Sequence, residues 1–373
     1  LDTAFANGVL PRRGKRQSLL ISVPLRYGSL VSGDDSKPTP TPEDILDAGL
    51  GFMRSRALLA AVELGLFTTL GDRALTGEAL VAELGLHPRA NPDFFDLLVA
   101  MGILERDGRD VYRNSAGSAA YLDKSRPEYV GGILEMSATR VFGFWNDLTE
   151  GLRTGRPQNE IKTSGAPLFQ ELYANPEGLE QFMAAMRGAS GFNFRAFAER
   201  FDFSGRRTLC DVGGATACLS TLVATRHPHM TCHSVDLPEV QPIAARYVAE
   251  AGLEDRVTLG SIDFFQDPLP SADIITMGMI LHDWNLENKK ILIAKAFDAL
   301  APGGVFVAIE HLIDDDRRRN VYGLAMSLQM LIEFGDAFDF TGQDFDAWCR
   351  EAGFSRTEVV PLTRHASAAV AHK

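Results

Sequence analysis

The side chains best suited to chemistry sit in two short segments. Leu281-His282-Asp283-Trp284 offers an imidazole, whose ordinary pKa of about 6.5 suits a general base, beside a carboxylate. Glu310-His311 closes the apolar run Val305–Ile309 and brings a second carboxylate that can orient the ring or stabilise its protonated form. Taken singly, His282 is as readily a satisfied structural histidine and Glu310 a strand-end salt bridge. Three further segments read as a ligand cradle. Asp211-Val212-Gly213-Gly214 is a small-residue turn that lets backbone approach a ligand closely. Asp236 follows about 20 residues on, the spacing at which an acid accepts hydrogen bonds from a ribose. Asp263-Phe264-Phe265 adds a carboxylate and rings suited to an adenine, or else a capped turn over core phenylalanines. Together they imply a nucleoside. Ala215 and Cys218 stand where a dinucleotide fingerprint has glycine, so the pyrophosphate cradle is absent.

These residues need one sheet edge to bring them together. Strands are predicted at 208–212, 231–236, 256–259, 272–277 and 305–310, separated by helical patterns, which specifies a Rossmann-like α/β sheet with ligands at the strands' carboxyl ends. Segments 356–361 and 367–372 are so close in sequence that they must pair antiparallel. Upstream, helical spacing over 44–66 and 91–104 with a hairpin around Asp107-Gly108 reads as a winged helix over 44–120. Phe94, Phe95, Leu97 and Leu98, with Asp93 and Asp96, make its second helix apolar and acidic, which favours protein interaction over DNA binding. A helical connector, 121–200, interleaves aromatics and methionines, most of them core, and the catalytic-type sheet occupies 201–373.

Residues 1–43 read as a mobile leader and linker: Arg12, Arg13, Lys15 and Arg16 precede a short apolar stretch that Arg26 interrupts too early for an export signal, and prolines 38, 40 and 42 follow. With 373 residues, 45% hydrophobic and 23% charged, the chain is large enough for two domains, and no apolar run is long enough to span a membrane. A net charge of −12 disfavours nucleic acid. Four cysteines without paired spacing fit reduced thiols and a cytoplasmic location. His282, Asp283 and His311 would make a metal-binding set, but neighbouring side chains such as His282 and Asp283 often point apart, and no metal is expected.

The segments Asp211-Val212-Gly213-Gly214, Val235-Asp236-Leu237-Pro238, Asp263-Phe264-Phe265, Leu281-His282-Asp283-Trp284, Ala301-Pro302-Gly303-Gly304 and Glu351-Ala352-Gly353-Phe354 resemble, in order and spacing, S-adenosylmethionine-dependent O-methyltransferases of the caffeic-acid and acetylserotonin type, including their bacterial natural-product branch. The resemblance implies a winged-helix dimerisation domain, a homodimer, and S-adenosylmethionine held by Asp211, Gly213, Gly214, Asp236, Leu237, Asp263 and Phe264, with Met277 at the edge. It implies His282 as the base deprotonating a hydroxyl of a small, aromatic acceptor, supported by Glu310 and Asp283. Met136, Phe142, Trp145, Met183, Met186, Met279, Met326 and Met330 are candidates for the substrate wall. Two departures stand out. Ala215 and Ala217 replace family glycines, which puts cofactor affinity in question. The family's second supporting carboxylate has no direct match, leaving Asp339 as its substitute or the carboxylate missing. The alternatives are altered chemistry on the same cofactor, such as C-methylation, or a non-catalytic ligand-sensing winged-helix protein.

Overall fold

The computed structural model describes residues 39–165 and 175–373; the leader through residue 38, and Phe169 and Tyr173 of the connector, lie outside the described residues. Among the described residues regular structure begins at Pro42, where the linker was expected to remain extended. Thr41 caps the helix Pro42–Gly49 through a reciprocal box with Asp44, and a proline at the first helical position loses no intrahelical bond.

Strands β1 (Leu75–Thr76), β2 (Leu104–Asp107) and β3 (Val111–Asn114) form a small antiparallel sheet in the order β1-β3-β2. Helices Gly51–Glu63, Leu66–Leu70, Gly77–Glu83 and Asp93–Ala100 cover it, and their core includes Leu66, Phe67, Leu80, Phe95, Leu98 and Tyr112. The expected helix over 91–104 is shorter, because β2 takes Leu104 into the hairpin. On it, Asp96 accepts from Tyr112 Oη at 2.8 Å and pairs with Arg106.

The second sheet runs β6-β5-β4-β7-β8-β10-β9, with β4 (Thr208–Val212), β5 (Thr231–Asp236), β6 (Val257–Ser261), β7 (Ala272–Gly278), β8 (Leu300–Glu310), β9 (Arg356–Pro361) and β10 (Ser367–His372). Pairing is parallel from β6 through to β8, and β10 lies antiparallel to both β8 and β9. Strand β8 starts five residues before the expected Val305, with a register irregularity opposite Ala272/Ile274 near Gly303-Gly304.

Period-two alternation sorts β8 between two cores. Val305, Val307 and Ile309 face the layer containing Phe197 and Val223. Phe306 and Ala308 face the layer containing Leu292, Ile293 and Ala296. Glu310 follows in the second register, so the strand delivers its carboxylate under the helix Leu286–Ala299. Chain order reverses at β4, whose neighbours are β5 and β7, and this opens the crevice in which doubly wound sheets bind ligands.

The turn after β4 repeatedly enters left-handed backbone, at Gly213 (φ 69°), Ala215 (φ 48°) and Ala217 (φ 55°). The two alanine methyl groups therefore act first through backbone strain, about 1–2 kcal/mol per residue in this region. That exceeds the roughly 0.4–1 kcal/mol by which glycine loosens the unfolded chain. Ala215→Gly is expected to raise unfolding free energy in urea by roughly 0.5 kcal/mol, the difference of these terms; a decrease would remove strain at this position from the account.

Candidate active site

A cavity of about 300 Å³ opens at the switch point, lined by the turn after β4, the ends of β5 and β7, and the long helix Pro176–Arg200. Glycine is required in the turn. A Cβ on Gly213 would stand 2.4 Å from Ile280 Cδ1, and one on Gly214 would stand 2.0 Å from Ser234 Oγ. Asp236 ends β5 with Oδ2 accepting from Ala215 N of the turn at 2.8 Å and Oδ1 accepting from the following Leu237 N at 2.7 Å. Burial raises its pKa to about 6 despite those bonds. Asp211 is pushed to about 7 by burial, and its oxygens accept from Thr276 Oγ1 and Ser220 Oγ, so it braces the turn from behind.

At the far end, Phe264, Phe265 and Trp284 pack edge to face, with Phe265 and Trp284 centroids 4.6 Å apart. Asp263 caps this turn by accepting from Phe265 N at 2.9 Å. The cavity is lined by Asp211, Gly213, Gly214, Asp236, Leu237, Asp263 and Phe264, and also by Asp283, Met183, Met186 and Met279. Met277 is different. It is fully buried opposite Ala308 in the sheet, away from the cavity. Met136, Phe142, Trp145, Met326 and Met330 do not line the cavity either. Trp145 instead donates to Gln329 on the helix Val321–Phe334, which carries Met326 and Met330.

Sequence reading missed Arg187, the only cation lining this cavity among the described residues. It donates to Thr216 Oγ1 at 3.3 Å and lies 4.4 Å over the Tyr247 ring. The signal was a lone arginine within the otherwise apolar stripe around Met183 and Met186.

His282 stands one residue behind the cavity wall that Asp283 forms. Its Nε2 is 3.3 Å from Asp283 Oδ1, so these neighbours converge where they were expected to point apart. Its Nδ1 is 3.6 Å from Asp339 Oδ1, which brings the non-matching segment's carboxylate to the ring. Glu310 does not hydrogen-bond the imidazole: Oε1 accepts from Ile280 N at 3.2 Å and Leu281 N at 2.9 Å and thus anchors the turn that carries it. Ring nitrogen and carboxylate oxygens of His282, Glu310 and Asp339 come within 4.8 Å of one another. His311 turns away, with Nδ1 3.2 Å from His365 O and its ring against Tyr322.

Burial opposes a charge on His282, but Asp283, Glu310 and Asp339 outweigh it and raise the pKa to about 10. Burial raises Glu310 to about 8 and Asp283 to about 6, partly offset in each by His282. The native cluster thus holds protons that the unfolded chain releases.

A mostly parallel, doubly wound sheet with an antiparallel terminal hairpin, a glycine turn, a ribose-type acid and an adenine-sized aromatic end define a class of protein: the Rossmann-like S-adenosylmethionine-dependent methyltransferases. Family models match residues 145–355 as an O-methyltransferase domain and residues 46–124 as an O-methyltransferase dimerisation domain, and the chain belongs to this O-methyltransferase family. It is 37% identical to the tetracenomycin polyketide synthesis 8-O-methyl transferase of Streptomyces glaucescens, over 89% of this chain and 97% of that one. It is 35% identical to an N,N-dimethyltransferase of Streptomyces rimosus, over 85% and 92%. The crystal structure of human N-acetylserotonin methyltransferase with S-adenosylmethionine superposes with a TM-score of 0.82 at 28% identity, covering 91% of this chain and 99% of that one. The cofactor is S-adenosylmethionine.

The proton balance has a measurable sign. Glu310 takes up its proton at about 8 in the fold against an ordinary 4.5, so its ionisation favours the unfolded chain increasingly between those values. Glu310→Gln keeps an oxygen for Ile280 and Leu281 N–H and removes that ionisation. Its stability relative to the parent is expected to rise from pH 5 to pH 8 in denaturant titrations; a constant difference would remove the buried-carboxyl effect.

Proposed function

We propose that this protein transfers a methyl group from S-adenosylmethionine to a hydroxyl of a small aromatic, polyketide-type acceptor, with His282 as general base. The observation that carries the reading is His282, flanked by Asp283 and Asp339, directly behind the wall of the nucleoside cavity. The residues fit the cofactor: Asp236 would hold a ribose diol, Phe264 and Phe265 would flank an adenine, and Arg187 would pair with a carboxylate. When bound, the cofactor supplies an electrophilic methyl group and a sulfonium charge. The acceptor oxygen forms the new bond as the sulfur–carbon bond breaks with its electrons passing to sulfur, and the hydroxyl proton goes to His282.

A phenol of pKa about 10 is not deprotonated beforehand by an imidazole, so proton removal accompanies transfer. The imidazole must first be neutral. A positive charge in the cavity competes for Asp283 and lowers the ring's hold on its proton. Acceptor selection falls to the Met183, Met186 and Met279 side of the cavity together with the connector and the helix Val321–Phe334, which Trp145–Gln329 and the Arg140–Glu333 ion pair hold together. Amine methylation is the second reading, favoured by the N,N-dimethyltransferase relative.

Residues 44–120 supply the second copy's docking face in this reading, consistent with the dimerisation-domain match. Helix Pro42–Gly49 buries none of its residues, and Ile45, Leu46, Leu50, Phe52 and Met53 are all exposed. No helix among the described residues is long and apolar enough to cross a membrane. The four buried free thiols fit a cytoplasmic enzyme.

Matched phenol and aniline acceptors assayed with labelled cofactor test the chemistry. His282→Ala is expected to lower phenol turnover at least about a hundredfold while leaving S-adenosylhomocysteine affinity intact; an unchanged rate excludes the histidine as base, and transfer to the aniline alone replaces the hydroxyl reading. Ile45→Glu combined with Phe52→Glu is expected to yield monomers by light scattering, whereas an unaltered mass moves the interface elsewhere.

A further inference from the structure

Arg187 shares the wall of the nucleoside cavity with Asp211, Asp236, Asp263 and Asp283. A guanidinium on a flexible stem settles readily on a nearby acid. Yet no carboxylate among the described residues is in ion-pair contact with it. Two neutral groups hold it instead. It donates to the hydroxyl of the buried Thr216 in the turn after β4, at 3.3 Å, and its guanidinium carbon lies 4.4 Å from the centroid of the Tyr247 ring.

Helix packing brings the pair together. Met183 and Arg187 stand one turn apart on the helix Pro176–Arg200, as Ile243 and Tyr247 do on the helix Gln241–Glu250, which follows β5 and Asp236. Leu179, Met183, Val240 and Ile243 form a small core against which Ala215 and Tyr247 pack, so burying the apolar residues sets the arginine and the ring in register. A second guanidinium, that of Arg246, lies 5.5 Å from the same ring, but it already has its own acid in Glu180. Arg187 has none. A ring attracts a guanidinium through its quadrupole and does not neutralise it. The donors not engaged with Thr216 are left for an oxygen ligand.

We propose that Tyr247 is a positioning residue for the cofactor site: its ring holds Arg187 off the cavity's own carboxylates, so that the charge stays available to the amino-acid carboxylate of S-adenosylmethionine. The inference rests on the reading that Arg187 pairs with that carboxylate. Tyr247 itself does not line the cavity and acts only through the arginine.

Calorimetric titration with S-adenosylhomocysteine and with S-adenosyl-3-thiopropylamine, the same molecule without its carboxylate, isolates the effect. Tyr247→Leu keeps an apolar side chain beside Ile243 and removes the ring. It is expected to weaken S-adenosylhomocysteine about tenfold and the decarboxylated ligand less than about twofold, whereas Tyr247→Phe, which keeps the ring, should stay within about twofold of the parent for both. Equal weakening of the two ligands in Tyr247→Leu overturns the proposal, because a merely structural tyrosine would support every ligand of the crevice alike. Unchanged affinity for S-adenosylhomocysteine overturns it as well. In an Arg187→Met background the effect of Tyr247→Leu should vanish, and its persistence overturns the proposal. A parent that binds both ligands equally overturns the pairing of Arg187 with the carboxylate, which distinguishes failure of that reading from failure of the tyrosine's role. If the leucine variant does not fold, phenylalanines of increasing fluorination at position 247 drain the ring's negative face with little change of shape. Affinity for S-adenosylhomocysteine should then fall stepwise, and a flat series overturns the proposal.

Discussion

The structure turns on a surplus of negative charge gathered at one edge of a buried sheet. Strands β5 and β8 end on Asp236 and Glu310, Asp211 is the next-to-last residue of β4, and the segment after β7 adds Asp283. Asp339 arrives from a separate segment. In a low-dielectric interior these carboxylates must be hydrogen-bonded, protonated or matched by a cation. Each solution is visible. Asp236 and Glu310 take backbone N–H groups, Asp211 takes hydroxyls, and the remainder of the balance falls to His282.

That balance also gives the edge its chemical bias. A site that holds protons when empty and carries excess carboxylate favours a ligand bearing positive charge, and a sulfonium is such a ligand. The methyl donor is neutralised after transfer, so the same field that favours the substrate form of the cofactor does not hold its product equally well. The aromatic end, by contrast, is built from Phe264, Phe265 and Trp284 and is indifferent to this change.

The turn after β4 shows how a site tolerates a departure from glycine. Ala215 and Ala217 keep the left-handed backbone that glycine would adopt freely, and the surrounding contacts hold them there. Ala215 N still reaches Asp236, while Ala217 is buried in the core beneath the turn. Gly213 and Gly214 occupy the places where a side chain would have no room, with Ile280 and Ser234 already in contact range. Substitution was absorbed at positions whose cost is conformational and not at positions whose cost is steric.

Much of this was legible in the sequence. Short apolar runs alternating with helical patterns marked the strands of the large sheet to within a few residues, except for the early start of β8, because central strands covered on both faces are buried almost throughout, and the closeness of β9 and β10 required their antiparallel pairing. The cradle residues were legible because each sits at a strand's carboxyl end, a position that sequence order alone locates. What remained hidden depends on which way side chains turn once elements are packed. Glu310 lies near the ring as expected but gives its hydrogen bonds to backbone, while Met277 was expected at the edge of the cavity and lies in the core. Asp339 reaches His282 from 57 positions further along the chain, which no local pattern specifies. Arg187 was a charge at an apolar helical position, a legible anomaly whose meaning required the neighbouring carboxylates, because an ion's role is set by the charges around it and those are assembled only in three dimensions.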